Sequence, residues 1–151
     1  TVIEHDKAPR IHIRNARSLD LYVRRGSDKQ RRGKVVQDWY RRELRRLAEP
    51  LIGKWAHILR VAPPEWGIRR MKTKWGSCNT SAQRVWLNLE LAKKPPECVE
   101  YIIAHEMAHL LERNHNDRFI KLLDRNLPHW RTLRDQLNTA PLRDENWPKF
   151  P

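Results

Sequence analysis

The chain has 151 residues, is 39% hydrophobic and carries 31 Lys/Arg against 18 Asp/Glu, a formal net charge of +13. That suits one domain, residues 1–151, with a single core. No apolar run approaches the ~20 residues of a membrane span and no secretory signal is visible, so a cytoplasmic monomer is the expectation.

Arg10-Ile11-His12-Ile13-Arg14 and Leu19-Asp20-Leu21-Tyr22-Val23 both alternate apolar with polar residues, the period of a half-exposed strand. A turn over residues 15–18 would join them as an N-terminal hairpin within residues 1–28. Gly26-Ser27-Asp28 then supplies a break and a helix cap. From Lys29 to about Arg60 apolar residues recur at three- and four-residue steps, predicting a long basic helix within residues 29–62. Arg41, Arg42, Arg45 and Arg46 fall on its other side, and Pro50 should kink or divide it. Trp39 and Trp55 lie on the apolar stripe and read as core.

The segment from Ile68 to Asn79 reads as one strand entering a Gly/Ser/Asn turn. Arg84 to Leu89 alternates strictly, with Val85, Leu87 and Leu89 on one face. Pro95-Pro96-Glu97 signals a helix start, and that helix should run to about Leu111. A short helix from Asn116 to Arg125 would turn Phe119, Leu122 and Leu123 inward, and Pro128 opens another bearing Trp130, Leu133 and Leu137. These elements make a core over residues 66–138, followed by an irregular tail, residues 139–151. The fold class is α+β.

Cys78 and Cys98 have no CxxC neighbour and read as small, reduced, apolar residues. The charge is uneven: residues 1–60 carry a net +9, residues 61–94 a net +5 and residues 95–151 a net −1. A basic field over the first 94 residues attracts polyanions, nucleic acid foremost, although a solvated surface explains charge alone equally well.

The segment His105-Glu106-Met107-Ala108-His109 carries the chemistry. Two histidines four apart on a helix project from one face about 6 Å apart along the axis, so both can reach one metal. Glu106, rotated about 100° around the helix, can meet a metal-activated water without ligating the metal. The surrounding Val99, Tyr101, Ile102, Ile103, Ala104, Leu110 and Leu111 predict a buried helix. Polar groups inside such a helix need a joint reason. A catalytic zinc needs a third ligand. His115 is the leading choice once the chain turns at Glu112-Arg113-Asn114; Glu112, Asp117, Asp124 and His129 are alternatives. The HExxHxxxxxH spacing equals that of metzincins, but Glu112 replaces their turn glycine and no methionine follows to form a Met-turn.

Lys74-Trp75-Gly76-Ser77-Cys78, Leu87-Asn88, the HEMAHL run and Asn114-His115-Asn116-Asp117-Arg118-Phe119 together resemble the YgjP-like metallopeptidase family, related to SprT and the WLM proteases. The resemblance extends over about residues 68–138, and Leu142 to Trp147 is similar to the family's tail. It implies a minimal gluzincin-like (zincin) domain with a small mixed sheet packed on the active-site helix. It implies one zinc held by His105, His109 and His115, with Glu106 as catalytic base. The strand at Arg84–Leu89 would border the cleft and pair with an extended substrate, and Trp75, Trp86 and Asn88 are the expected substrate contacts. Lys74, Arg70 and Tyr101 are alternatives for an oxyanion donor.

The resulting expectation is a zinc metalloendopeptidase acting on protein or peptide. A nucleic-acid-associated protein with a structural or latent zinc, and a zinc hydrolase of non-peptide substrates, are the competing readings.

Overall fold

The computed structural model describes residues 1–15 and 18–139. Their contacts divide the chain into two compact units, Thr1–Glu43 and Leu44–Pro151. The boundary falls within the long helix.

In the first unit, β2 (Arg10–Asn15) and β3 (Ser18–Arg24) pair antiparallel, with Ile11 opposite Leu21 and Ile13 opposite Leu19. The expected hairpin is thus present. A strand not foreseen, β1 (Val2–His5), adds in parallel to the other side of β3, giving the order β1-β3-β2. Four residues show too little alternation to signal a strand; the hydrogen-bonding edge of β3 organises them. Leu21 and Val23 are buried, and beside them the Asp20 carboxylate accepts two hydrogen bonds from the Arg14 guanidinium, 2.7 and 3.3 Å long.

Helix α1 (Lys29–Leu59) is assigned without a break through Pro50, so the expected division does not occur. Asp28 caps its start, accepting the Arg31 backbone N–H. Arg60 ends it in the left-handed region, φ 56°. The helix buries Leu44, Ala48, Ile52, Trp55, Ala56 and Leu59. Trp55 is core as expected, whereas Trp39 is half-buried beside Tyr40 and Ile58 is exposed.

The second unit has its own mixed sheet of β4 (Glu65–Arg69), β5 (Gly76–Asn79) and β6 (Arg84–Asn88), in the order β4-β6-β5. β4 runs parallel to β6 and β5 antiparallel. The single strand expected from Ile68 to Asn79 is therefore two, separated by a loop over residues 70–75. Asn88 holds that loop: its side-chain amide donates to the Met71 and Lys74 carbonyls, at 2.9 and 2.7 Å. A second correction concerns β6, which is the central strand with both edges paired, so it offers no edge to a substrate. The edge strand on that side is β5.

After a 3₁₀ turn (Leu89–Lys93), α2 (Pro96–Ala108) crosses the core. Every residue from Tyr101 to Ala108 is buried, as in a helix enclosed on all sides. Beyond Ala108 the chain tightens into i→i+3 bonds, from Leu110 N–H to Met107 and from Leu111 N–H to Ala108, so the regular helix ends three residues earlier than expected. α3 (Asp117–Asn126) and α4 (Trp130–Thr139) follow, burying Phe119, Leu123, Trp130 and Leu137. Thr139 belongs to α4; the rest of the expected tail, with Leu142 to Trp147, lies outside the described residues. Among the described residues no helix is long and apolar enough to cross a membrane.

Candidate metal centre

Helix α2 sets the site. Its pitch places His105 and His109 one turn apart on the same face, with ring centroids 5.1 Å apart. The chain then turns, and the turn is stitched from within. The His109 ring donates from Nδ1 to the Glu112 carbonyl at 3.1 Å. The Glu112 carboxylate accepts from the Asn116 amide at 2.8 Å, and the Asn116 Oδ1 caps α3 by accepting the Phe119 N–H at 3.1 Å. His115 lies inside this stitched segment, and its Nε2 comes 3.3 Å from Nε2 of His105 and 3.0 Å from Nε2 of His109.

The ligating atoms of His105, His109 and His115 lie within 4.8 Å of one another, the sole such group among the described residues. Three nitrogens that each sit about 2.0–2.1 Å from one tetrahedral ion lie roughly 3.3 Å apart. The donor set therefore fits a metal. The bond from Nδ1 of His109 also fixes its tautomer, leaving the Nε2 lone pair to face the other two rings. Burial lowers the proton affinity of all three, most strongly for His105, where the neighbouring histidines add to the effect. Neutral imidazole is the ligating form.

Glu106, the residue after the first histidine, is 4% exposed. Burial pushes its carboxyl up to about 8, with the Lys74 ammonium pulling the other way. Edge strand β5 passes directly over it. A Cβ built on Gly76 would lie 3.0 Å from the Glu106 Cγ, 2.9 Å from Ile102 and 3.2 Å from the Trp86 carbonyl. The strand can come this close because residue 76 has no side chain. Cys78 on the same strand is raised to about 11, chiefly by burial and secondarily by Glu106. It is a thiol of low reactivity.

The other sequence-derived residues fall elsewhere. Glu112 and Asn116 hold the turn, Asp124 accepts from the Trp130 indole, and Asp117 opens α3. Asp117, Asp124 and His129 do not join the cluster. Trp75 and Asn88 are 1% and 0% exposed, and the Asn88 amide is spent on backbone carbonyls. Trp86 sits opposite Gly67, whose Cβ would come 2.6 Å from its ring, and carries the Arg69 guanidinium at 4.5 Å. That is the sheet face away from Val85, Leu87 and the Gly76 contact with α2. Lys74 bears on Glu106, whereas Tyr101 is buried and stacks on Trp130. Two contributors were invisible in the sequence, Gly76 as a close approach and Phe119 as a ring among the histidines. Both depend on tertiary packing.

Two crystal structures share the fold: the metallopeptidase zymogens abylysin of Pyrococcus abyssi and jannalysin of Methanocaldococcus jannaschii. The TM-scores are 0.57 and 0.55, at 23% and 19% identity. The matches cover 61% of this chain in both cases, and 92% and 94% of those chains. The α+β architecture is thus the fold of these two chains. A family model described as the YgjP-like metallopeptidase domain matches residues 1–140, and the chain belongs to that family. No curated protein matches it. Membership makes the chain a peptidase that uses a metal and acts on protein or peptide.

Proposed function

We propose that this chain is a zinc-dependent metalloendopeptidase in which His105, His109 and His115 hold one zinc and Glu106 is the general base. The observation that carries the reading is the convergence of three imidazole Nε2 atoms at the end of α2, with a buried carboxylate on the same helix.

Bound zinc would supply Lewis acidity and bring the pKa of a water molecule toward 7. The chain's own part is proton handling and alignment. Glu106, enclosed on α2 under Gly76, accepts the proton of the attacking water and returns it to the leaving amine. A carboxyl whose burial raises its proton affinity suits both halves of that exchange. Lys74 stands nearby as a cation able to steady developing negative charge. An extended substrate would add by backbone hydrogen bonds to the outer edge of β5, which pairs with no strand among the described residues.

Replacing Glu106 by Gln tests the assignment. Cleavage of an unfolded protein substrate should fall at least 10²-fold, in line with loss of a general base, while zinc content stays that of wild type. Unchanged cleavage, or loss of the metal along with activity, would count against Glu106 as base.

A further inference from the structure

The geometry points to Phe119 as the positioning residue of the metal site, the surface on which all three histidine ligands are oriented. This rests on the reading of His105, His109 and His115 as the ligand set. The Phe119 ring centre lies 4.9 Å from that of His105, 4.6 Å from His109 and 5.0 Å from His115. The histidine centroids lie 4.7 to 5.1 Å from one another, so the four rings form a nearly regular tetrahedron with Phe119 as its fourth corner. Phe119 is fully buried. It stacks on His109 at 22° and meets His105 and His115 edge-on, at 76° and 68°, which are the favoured arrangements of aromatic pairs.

The ring is itself fixed from the backbone, because Asn116 caps α3 through the Phe119 N–H and Asn116 is tied to Glu112. Glu112 in turn holds His109 through its carbonyl. The segment from His109 to Phe119 therefore closes on itself, and the closing contact is the Phe119 ring against the imidazoles. His115 needs this most, since it stands outside both helices and no helical turn restricts its side chain. An apolar ring behind the ligands also keeps water from their back face and orients them before the ion arrives, which is how groups around a metal site raise affinity.

The test compares zinc affinity, by competition with a chromophoric chelator, in wild type, Phe119→Leu, Phe119→Met, Leu123→Ala and His109→Ala. Leu123→Ala opens the core one turn further along the same helix, and thermal melts of the metal-free proteins report how far each variant is destabilised. Phe119→Leu and Phe119→Met should each weaken zinc binding at least tenfold, with altered visible absorption of the Co²⁺-loaded proteins, while Leu123→Ala binds like wild type. Either Phe119 variant, folded and binding zinc as tightly as wild type, would overturn the inference. So would Leu123→Ala weakening zinc as much, because the effect would then be one of general stability. Zinc binding unchanged in His109→Ala would overturn the ligand assignment itself and the inference with it.

Discussion

A carboxyl and three imidazoles enclosed at one helix end have opposite preferences for protons, and metal-free stability should record both. Glu106 is raised from 4.5 to about 8, so the folded chain keeps a proton that the unfolded chain releases. The stability from this group is present in full below about pH 4.5 and is lost as pH rises through 8. The histidines are lowered from 6.5, so their contribution is present above pH 6.5 and lost as pH falls. Between about pH 6.5 and 8 Glu106 therefore dominates. The metal-free protein should lose at most about 1.4 kcal/mol per pH unit there, and Glu106→Gln should flatten the decline. Urea midpoints across that range decide it; parallel slopes in the two proteins would contradict the burial argument. His105, Glu106 and His109 were legible in the sequence because a helix repeats every 3.6 residues and spacing alone puts them together. Phe119 was legible only as a core residue, since nothing local brings its ring against imidazoles four to fourteen positions away.

At the scale of elements, Asn88 shows how one buried amide shapes a site without touching it. It donates to two carbonyls of the loop over residues 70–75, and its oxygen caps the following 3₁₀ turn by accepting the Glu90 N–H. That loop delivers Gly76 over Glu106. Asn88→Ala would remove the donor from two part-buried carbonyls, at about 0.5–1.5 kcal/mol for each hydrogen bond lost. The denaturation midpoint should fall accordingly, and activity should fall further than the stability loss alone requires. A midpoint within about 0.5 kcal/mol of wild type, the range of an ordinary surface change, would show the loop to be held otherwise. The same contact explains the misreading of Ile68 to Asn79 as one strand: the break is made by a side chain from β6, not by glycine or proline at positions 70–75. Strand order was equally hidden. Alternation at Arg84–Asn88 identified a strand but could not show that both its edges are paired.

Across the molecule, several of the basic side chains make contacts at the surface of the fold. Arg14, Arg32, Lys54 and Arg84 pair with acids, and Arg10, Arg45 and Arg69 lie over aromatic rings. The charge profile alone raised nucleic acid as a partner, and several of the residues behind it have acids or aromatic rings of the chain itself beside them. On the proposed reading, a zinc held by His105, His109 and His115 would tie α2 to the turn that carries His115, so binding should stabilise that unit by linkage. At a hundredfold excess over its dissociation constant zinc adds about 2.7 kcal/mol. Chelation should thus lower the melting temperature reversibly, and His109→Ala should be insensitive to it; a wild-type melt indifferent to chelator would contradict the linkage. The family and the general layout were readable because several motifs agree along the chain, whereas β1 depends on its partner strand.

The central claim is that three histidines, one of them beyond the helix, hold the catalytic metal. Metal analysis of wild type beside His115→Ala tests it most directly. The account predicts one zinc per wild-type chain and a clear loss of zinc from the variant; stoichiometric zinc retained by His115→Ala would contradict it.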